Sequence, residues 1–295
     1  MTRSSTAWVE GAAEPGKGPD PKVSFARRTA RAALRALYRE LATYPKPGLV
    51  SFVDSGSHCD MDASTFLRSL ASLRGYFGAI ARLGATGPSF EAMRPLGLAA
   101  ERRMLAATGG VNTHRGAIFS LGLLAAACAW LHEERAPLTT AHISALVRER
   151  WGRAILERSP ALAASHGAEV LRRYGAGGAR EEAARGFPHL FEVGLPALRG
   201  ALAATGDLHA AAVQCFFSVL AELSDTNLLY RGGREGLAFA RAAARDFLAR
   251  GGVLAERWRE EAERIHRTFV ARRLSPGGAA DLLAASLFVH GMACP

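Results

Sequence analysis

The stretch Gly109-Gly110-Val111-Asn112-Thr113-His114-Arg115-Gly116 gathers residue types that hold an anion. Two glycines precede Asn112 at what reads as a helix start, where exposed backbone N–H groups and the positive end of the helix dipole attract phosphate. Asn112, Thr113, His114 and Arg115 add side-chain donors at the same place. His114 is suited to serve as an acid, a base or a phosphate donor. A cap at Asn112 and a structural His114 are the plainer readings. The density of polar residues just ahead of a long apolar run favours a ligand site.

Four further clusters carry similar chemistry. Pro45-Lys46-Pro47-Gly48-Leu49-Val50 leads through Asp54 to Gly56-Ser57-His58-Cys59-Asp60-Met61-Asp62. Prolines on both sides of Lys46 hold the chain extended and aim the lysine outward. His58, Asp60 and Asp62 alternate, so an extended segment turns all three to one side. Paired carboxylates there suit Mg²⁺ held jointly with substrate phosphates, although Asp62 also reads as a helix cap. Farther on, Ser165-His166-Gly167, then Gly175, Gly177 and Gly178, lead to Arg180, Glu181, Glu182 and Gly186-Phe187-Pro188. Adjacent Arg180 and Glu181 diverge on a helix, one free to serve a site; a glycine-rich surface loop with a salt bridge is the alternative. Asp225-Thr226-Asn227 and Arg231-Gly232-Gly233 follow an apolar run and read as a second phosphate or metal position, or as a helix C-terminus with a glycine stop. Finally, Ser275-Pro276 precedes Gly277 and Gly278. Two glycines in a first helical turn cost about 1 kcal/mol each, which is understandable where a ligand or another helix approaches the backbone closely.

The elements that position these clusters are helical. Leu34, Leu37, Tyr38 and Leu41 follow the amphipathic template, as do Phe66, Leu70, Leu73, Phe77 and Ile80 behind Asp62. Further helices are expected over about 89–107, 113–132, 139–157, 160–173, 188–204, 208–229, 233–250, 253–273 and 276–290. Gly251-Gly252 stops one of them and Ser275-Pro276 starts the last, serine as cap. No alternating run suggests a sheet, and no fixed period suggests a solenoid. The expectation is an all-α protein: a single compact multi-helix domain over 24–291, begun by Ser24 as N-cap, behind a flexible, Gly- and Pro-rich tail over 1–23.

Composition narrows the function. At 295 residues and 49% apolar content, the chain can bury a large core. Its formal charge of +10 is almost wholly arginine, lysine occurring only at Lys17, Lys22 and Lys46. Such a balance follows from an Arg- and Ala-rich genome or from attraction to polyanions. The charge is spread along the chain rather than massed with aromatics, which disfavours nucleic acid as partner. Cys59, Cys128, Cys215 and Cys294 lie far apart, as in a reducing compartment. No secretory leader is visible, and the uncharged run 116–131 falls short of the roughly 20 residues of a membrane span. A cytoplasmic enzyme handling a phosphorylated nucleotide, with no membrane partner, is the expectation.

Taken in order, residues 45–50, 56–62, 109–116, 178–182 with 186–188, 225–227 with 231–233, and 275–283 make the chain resemble the triphosphoribosyl-dephospho-CoA synthase family. The run 48–62 looks closer to the branch serving malonate decarboxylase than to the citrate lyase branch. The resemblance implies that the ribose 2′-hydroxyl of 3′-dephospho-CoA attacks the anomeric carbon of ATP's ribose. Adenine leaves, and the product is the precursor of a prosthetic group later attached to an acyl carrier protein. That reaction makes ATP the substrate, and the residue inventory then suggests Mg²⁺ on Asp60 and Asp62, with Asp225 as a further candidate, and phosphates on Lys46, Gly109, Gly110, Asn112, Thr113, Arg115, Arg180, Arg231, Gly277 and Gly278. His58 or Glu181 is the expected base for the 2′-hydroxyl, with His114 in reserve. Asp54 and Asp281 complete the inventory of carboxylates without a role. A homodimer is an open expectation. The rival readings are a metal-dependent nucleotide phosphohydrolase, a nucleic-acid-binding helical module and a non-catalytic member of a decarboxylase complex.

Overall fold

The computed structural model describes residues 21–157 and 166–293, and among them every regular element is helical. In chain order these are α1 Pro21–Ala42, α2 Ala63–Ser72, α3 Tyr76–Gly84, α4 Phe90–Ala107, α5 Arg115–Glu133, α6 Thr140–Leu146 and α7 Gly152–Leu156. There follow α8 His166–Tyr174, α9 Gly178–Ala184, α10 Leu195–Thr205, α11 Leu208–Glu222, α12 Thr226–Ala249, α13 Trp258–Ala271 and α14 Gly277–Ala293. Wider π turns at Val147–Trp151 and His189–Gly194 lead into α7 and α10, so the spans expected over 139–157 and 188–204 are each continuous.

Helices α5, α11 and α14 form the interior. Each is apolar on most of its circumference, the pattern of a helix packed on all sides. Helix α5 packs against α3 and α14, α11 against α10, α12 and α14, and α1 against α3 and α14. Leu121, Leu124, Phe216, Phe217, Leu283 and Phe288 are fully buried there, and each such side chain contributes about 1.5–3 kcal/mol relative to exposure. By length and composition α5 is apolar enough to cross a membrane, but 72% of its apolar window is buried inside the protein. It is the core helix that its sequence suggests.

Several boundaries differ from the sequence reading, each for a local reason. Ser24 lies inside α1, which is already helical at Pro21; the tail expected over 1–23 otherwise falls outside the described residues, as do Ser165 and most of the start expected for α8. The stripe through Phe66 and Ile80 is two helices, broken at Leu73, Arg74 and Gly75. The helix expected over 208–229 stops at Glu222, because Asp225 caps a new helix rather than ending the old one. Arg231-Gly232-Gly233 is no terminus: α12 kinks at Gly233, whose φ of 62° and ψ of −159° only glycine adopts readily. Helix α9 is ordered where a glycine-rich loop was one reading.

Candidate active site at converging helix starts

The beginnings of four helices meet on one side of the core. Asp225 makes the first junction. Its Oδ1 accepts the N–H groups of Asn227 at 2.8 Å and Leu228 at 3.2 Å, capping α12. Its Oδ2 accepts the N–H of Ala279 at 2.9 Å in the first turn of α14. A β-carbon on Gly277 would lie 2.7 Å from Asn227 Nδ2, and one on Gly278 would lie 3.0 Å from Asp225 Oδ2. The two glycines therefore allow close approach between helices α12 and α14. Helix α5 joins from the other side: a β-carbon on Gly116 would fall 1.9 Å from Asp281 Oδ2. Helix α9 completes the group, a β-carbon on Gly178 lying 2.8 Å from Thr226 Cγ2. Clustered helix starts add their positive dipole ends at one place, a setting that favours a multiply charged anion.

On one flank lies His58. Its Nε2 is 2.8 Å from Ser275 Oγ, and its Nδ1 faces Arg231 at 3.3 Å and Asp60 at 3.5 Å. Burial and the Arg231 guanidinium lower the His58 pKa, against the opposing pull of Asp60. Arg231 also donates to the carbonyls of Ser57 and Arg273, so it ties the 57–60 loop to the approach to α14. Ser275 turns its hydroxyl to His58 rather than capping α14. The segment around His58 is a series of turns, not an extended strand. Consequently His58 and Asp60 are neighbours while Asp62 is diverted to α2. There Asp62 Oδ1 accepts from Thr65 N, Thr65 Oγ1 and Ser64 Oγ, all at 2.8 Å. The Thr65 N–H, then the two hydroxyls, hold the Asp62 carboxyl down at about 2.

On the other flank lies His114, buried directly before α5. Ser69 Oγ meets its Nδ1 at 2.6 Å, Thr113 Oγ1 donates to Ser69 Oγ at 2.7 Å, and Phe66 packs edge-on against the ring. Among the described residues, His114 Nε2 is buried without a hydrogen-bond partner, an uncommon condition for a polar atom. Burial first, and nearby Lys46 second, lower the His114 pKa to about 4. The imidazole is therefore neutral at pH 7. Asn112 Oδ1 accepts the Arg115 N–H at 3.1 Å, and Arg115 pairs with Glu101. Gly109 and Gly110 both take positive φ, 66° and 89°, in an exposed turn where, among the described residues, a β-carbon would meet no neighbour.

Three expectations need correction. Lys46 does not point outward: it is fully buried, and its Nζ meets Glu40 Oε1 at 2.5 Å and also donates to the Glu40 carbonyl. The 44–58 loop passes beneath the approach to α14, where Gly48 packs directly on the Leu274 carbonyl, so extension here leads inward. Arg180 is turned away from the converging helix starts and donates to the carbonyls of Ile155 and Glu157, closing the end of α7. Asp225 does not end a helix: both of its oxygens are engaged by backbone N–H groups at the starts of α12 and α14. Glu181 accepts the N–H of Gly177 at 3.1 Å at its own helix start and stays exposed at the edge of the site. Among the described residues no group of three or more His, Cys, Asp or Glu side chains is placed to hold a metal ion.

Four participants did not stand out in the sequence. Glu40 falls on the buried face of α1 with Ala33, Ala36, Leu37 and Leu41, while Tyr38 is exposed and its ring packs at a tilt against Phe52. A charge on that face was the readable signal. Ser69 occupies the corresponding inward position on α2. His266, buried on α13, bridges the Lys46 carbonyl and Asp54 Oδ2, both at 3.1 Å, and so pins the 44–54 loop. Asp281 was counted among the carboxylates without a role, and it lies against the start of α5. Surface depressions beside Arg28 and His132, and along α12 at Arg241 and Arg245, lie away from the candidate residues.

Comparison with known proteins gives this arrangement its context. No solved structure matches the chain. A protein from Acinetobacter calcoaceticus, described as a probable 2-(5''-triphosphoribosyl)-3'-dephosphocoenzyme-A synthase, is 40% identical over 87% of this chain and 88% of its own. A protein of the same probable description from Pseudomonas putida is 41% identical over 91% of this chain and 95% of its own. The 2-(5''-triphosphoribosyl)-3'-dephosphocoenzyme-A synthase of Klebsiella pneumoniae is 39% identical over 90% of each. Residues 26–294 match the model of the CitG family, ATP:dephospho-CoA triphosphoribosyl transferase. The chain that brings four helix starts together around His58, His114 and Asp281 belongs to that family and is a transferase.

Proposed function

We propose that the protein transfers the 5-triphosphoribosyl group of ATP to the ribose 2′-hydroxyl of 3′-dephospho-CoA and releases adenine. The observation that carries this reading is the meeting of the starts of α5, α9, α12 and α14, because a multiply charged triphosphate is favoured where several positive helix-dipole ends converge. Asn112, Thr113 and Arg115 meet phosphate oxygens at the entry to α5, with the Gly109–Gly110 turn that follows α4 beside them, and Gly277 and Gly278 meet them from α14. Arg231 contributes the cation on the opposite side. Asp60, with the remaining oxygen of Asp62, would hold Mg²⁺ together with the triphosphate, and the ion would neutralise phosphate charge. A phosphate-borne ion of this kind requires only one or two carboxylates, which agrees with the donor set present.

His58 is the base for the 2′-hydroxyl. Its lowered pKa keeps it neutral at pH 7, and its Nδ1 is turned to Arg231 and Asp60, where the hydroxyl takes the place of the guanidinium. Glu181, at the rim, is the second candidate. The product supplies the prosthetic group of an acyl carrier subunit, that of malonate decarboxylase in preference to citrate lyase, and the protein works in the cytoplasm. Incubation with ATP, Mg²⁺ and 3′-dephospho-CoA tests the reaction. Adenine release that depends on dephospho-CoA, with a product bearing the added triphosphoribosyl mass, supports it; release of phosphate without adenine would replace it by a phosphohydrolase. Transfer of the product to malonate decarboxylase's carrier but not to citrate lyase's tests the branch.

A further inference from the structure

Asp281 is a carboxyl shielded where the starts of α14 and α5 meet. It sits on the first turns of α14 with its Oδ2 against Gly116, and it accepts the N–H of Ala117 at the start of α5. The groups facing it are Glu40 from α1, itself paired with Lys46, and Asp225 from the start of α12. Burial first, then the charges of Glu40 and Asp225, raise its pKa well above the carboxylate range, opposed only by the Ala117 N–H. Although its carboxyl is shielded, the residue keeps part of its surface open, unlike Asp225. A neutral Asp281 also fits a triphosphate at this place. An ionised carboxylate against the α5 start would repel the phosphates that the helix dipole attracts.

On the transferase reading, we infer that Asp281 is the general acid that protonates the departing adenine. The bond between C1′ of the ATP ribose and the adenine nitrogen breaks, and its electron pair stays with the purine. The Asp281 proton passes to a ring nitrogen of that purine. The 2′-oxygen of dephospho-CoA forms the new bond to C1′ and gives its proton to the base on the other flank. Asp281 is left as a carboxylate, received by the Ala117 N–H and the α5 dipole and placed beside the electron-poor ribose carbon. This is the division of labour of paired carboxyls in glycosyl transfer, where the group with the raised pKa is the acid. Solvent returns the proton after adenine leaves.

The test compares two donors, ATP and ATP methylated at N7, whose cationic base departs without being protonated. Asp281→Asn is expected to lower kcat with ATP by about 10²–10⁴-fold, the usual contribution of a general acid, with KM for ATP nearly unchanged. With the N7-methyl donor the two proteins should turn over within a few-fold of each other. A variant within tenfold of the parent on ATP, or an equal loss on both donors, overturns the assignment. The parent protein provides a second measurement should Asp281→Asn not fold. Its kcat with ATP should fall at high pH as Asp281 ionises, and that limb should vanish with the N7-methyl donor; an identical limb with both donors also overturns the assignment. Absence of dephospho-CoA-dependent adenine release by the parent from ATP would instead overturn the transferase reading itself.

Discussion

Asp225 Oδ2 accepts the N–H of Ala279 at 2.9 Å across 54 residues of chain, while its Oδ1 caps α12, so one buried carboxylate fixes the starts of two helices. Replacing it with alanine removes a cap worth about 1 kcal/mol and leaves a buried Ala279 N–H unpaired at about 1–3 kcal/mol. Asp225→Ala should therefore lose about 2–4 kcal/mol in urea denaturation. Asp225→Asn, which keeps one acceptor oxygen, should lose less. The losses should be the same with and without Mg²⁺. A loss that appears only when Mg²⁺ is present would make Asp225 a metal ligand.

The Glu40–Lys46 pair makes a second prediction. Both side chains are buried, and burial lowers the Lys46 pKa in spite of its partner. Removing one member leaves the other charge uncompensated in the interior, which costs about 3–5 kcal/mol. Glu40→Leu alone should be that damaging, and adding Lys46→Met should recover most of the loss. A double-mutant cycle measured by chemical denaturation reads the coupling. Additive losses would show that the pair is not a unit. Loss of ATP affinity without loss of stability in Lys46→Met would return Lys46 to the phosphates.

The contrast between these residues shows what the sequence could reveal. Helix identity was legible because runs such as 115–133 and 208–222 are apolar around most of the helix, and because Asp62 and Gly251 sit where caps and stops belong. The same local logic holds at Gly277 and Gly278, where two glycines at a helix start meet the close neighbours Asn227 and Asp225, but not at Gly109 and Gly110, which follow the end of α4 in an exposed turn. What was illegible is direction. Lys46 between two prolines is extended whichever way it faces, and only α13, through His266, and the Leu274 carbonyl turn it inward. Arg180 and Asp225 likewise found backbone partners far along the chain that no spacing announces. Asp281 looked like one carboxylate among six until Gly116 was seen against it.

His114 predicts a pH dependence with a definite sign. Its pKa falls from an ordinary 6.5 to about 4 on folding. Above pH 6.5 neither state holds the extra proton, and the contribution to stability is fully present. As pH falls from 6.5 towards 4 the unfolded chain binds a proton that the folded imidazole refuses, so stability is lost over that window, by up to about 3 kcal/mol. His114→Asn should flatten the stability profile between pH 6.5 and 4 relative to the parent, as followed by melting temperature. Parallel profiles for the two proteins would mean that His114 accepts a proton in place, and that its Nε2 has a partner after all.

Gly116 and Gly200 give the sharpest separation of fold from site. Both lie in helices, where alanine is favoured over glycine by up to about 1 kcal/mol. A β-carbon on Gly200 meets nothing within 4 Å, so Gly200→Ala should raise stability slightly and leave turnover unchanged. A β-carbon on Gly116 would fall 1.9 Å from Asp281 Oδ2. The side chain of Asp281 is the part of this contact that can move, so Gly116→Ala should stay folded and lose about 1–3 kcal/mol, the cost of leaving the Ala117 N–H unpaired. The displaced carboxyl no longer meets the Ala117 N–H or the ribose, and adenine release should fall at least about tenfold, within the range of a lost general acid. Because the substitution leaves every ionisable group in the protein intact, full activity in Gly116→Ala would mean that the position of Asp281 against α5 does not matter to the reaction.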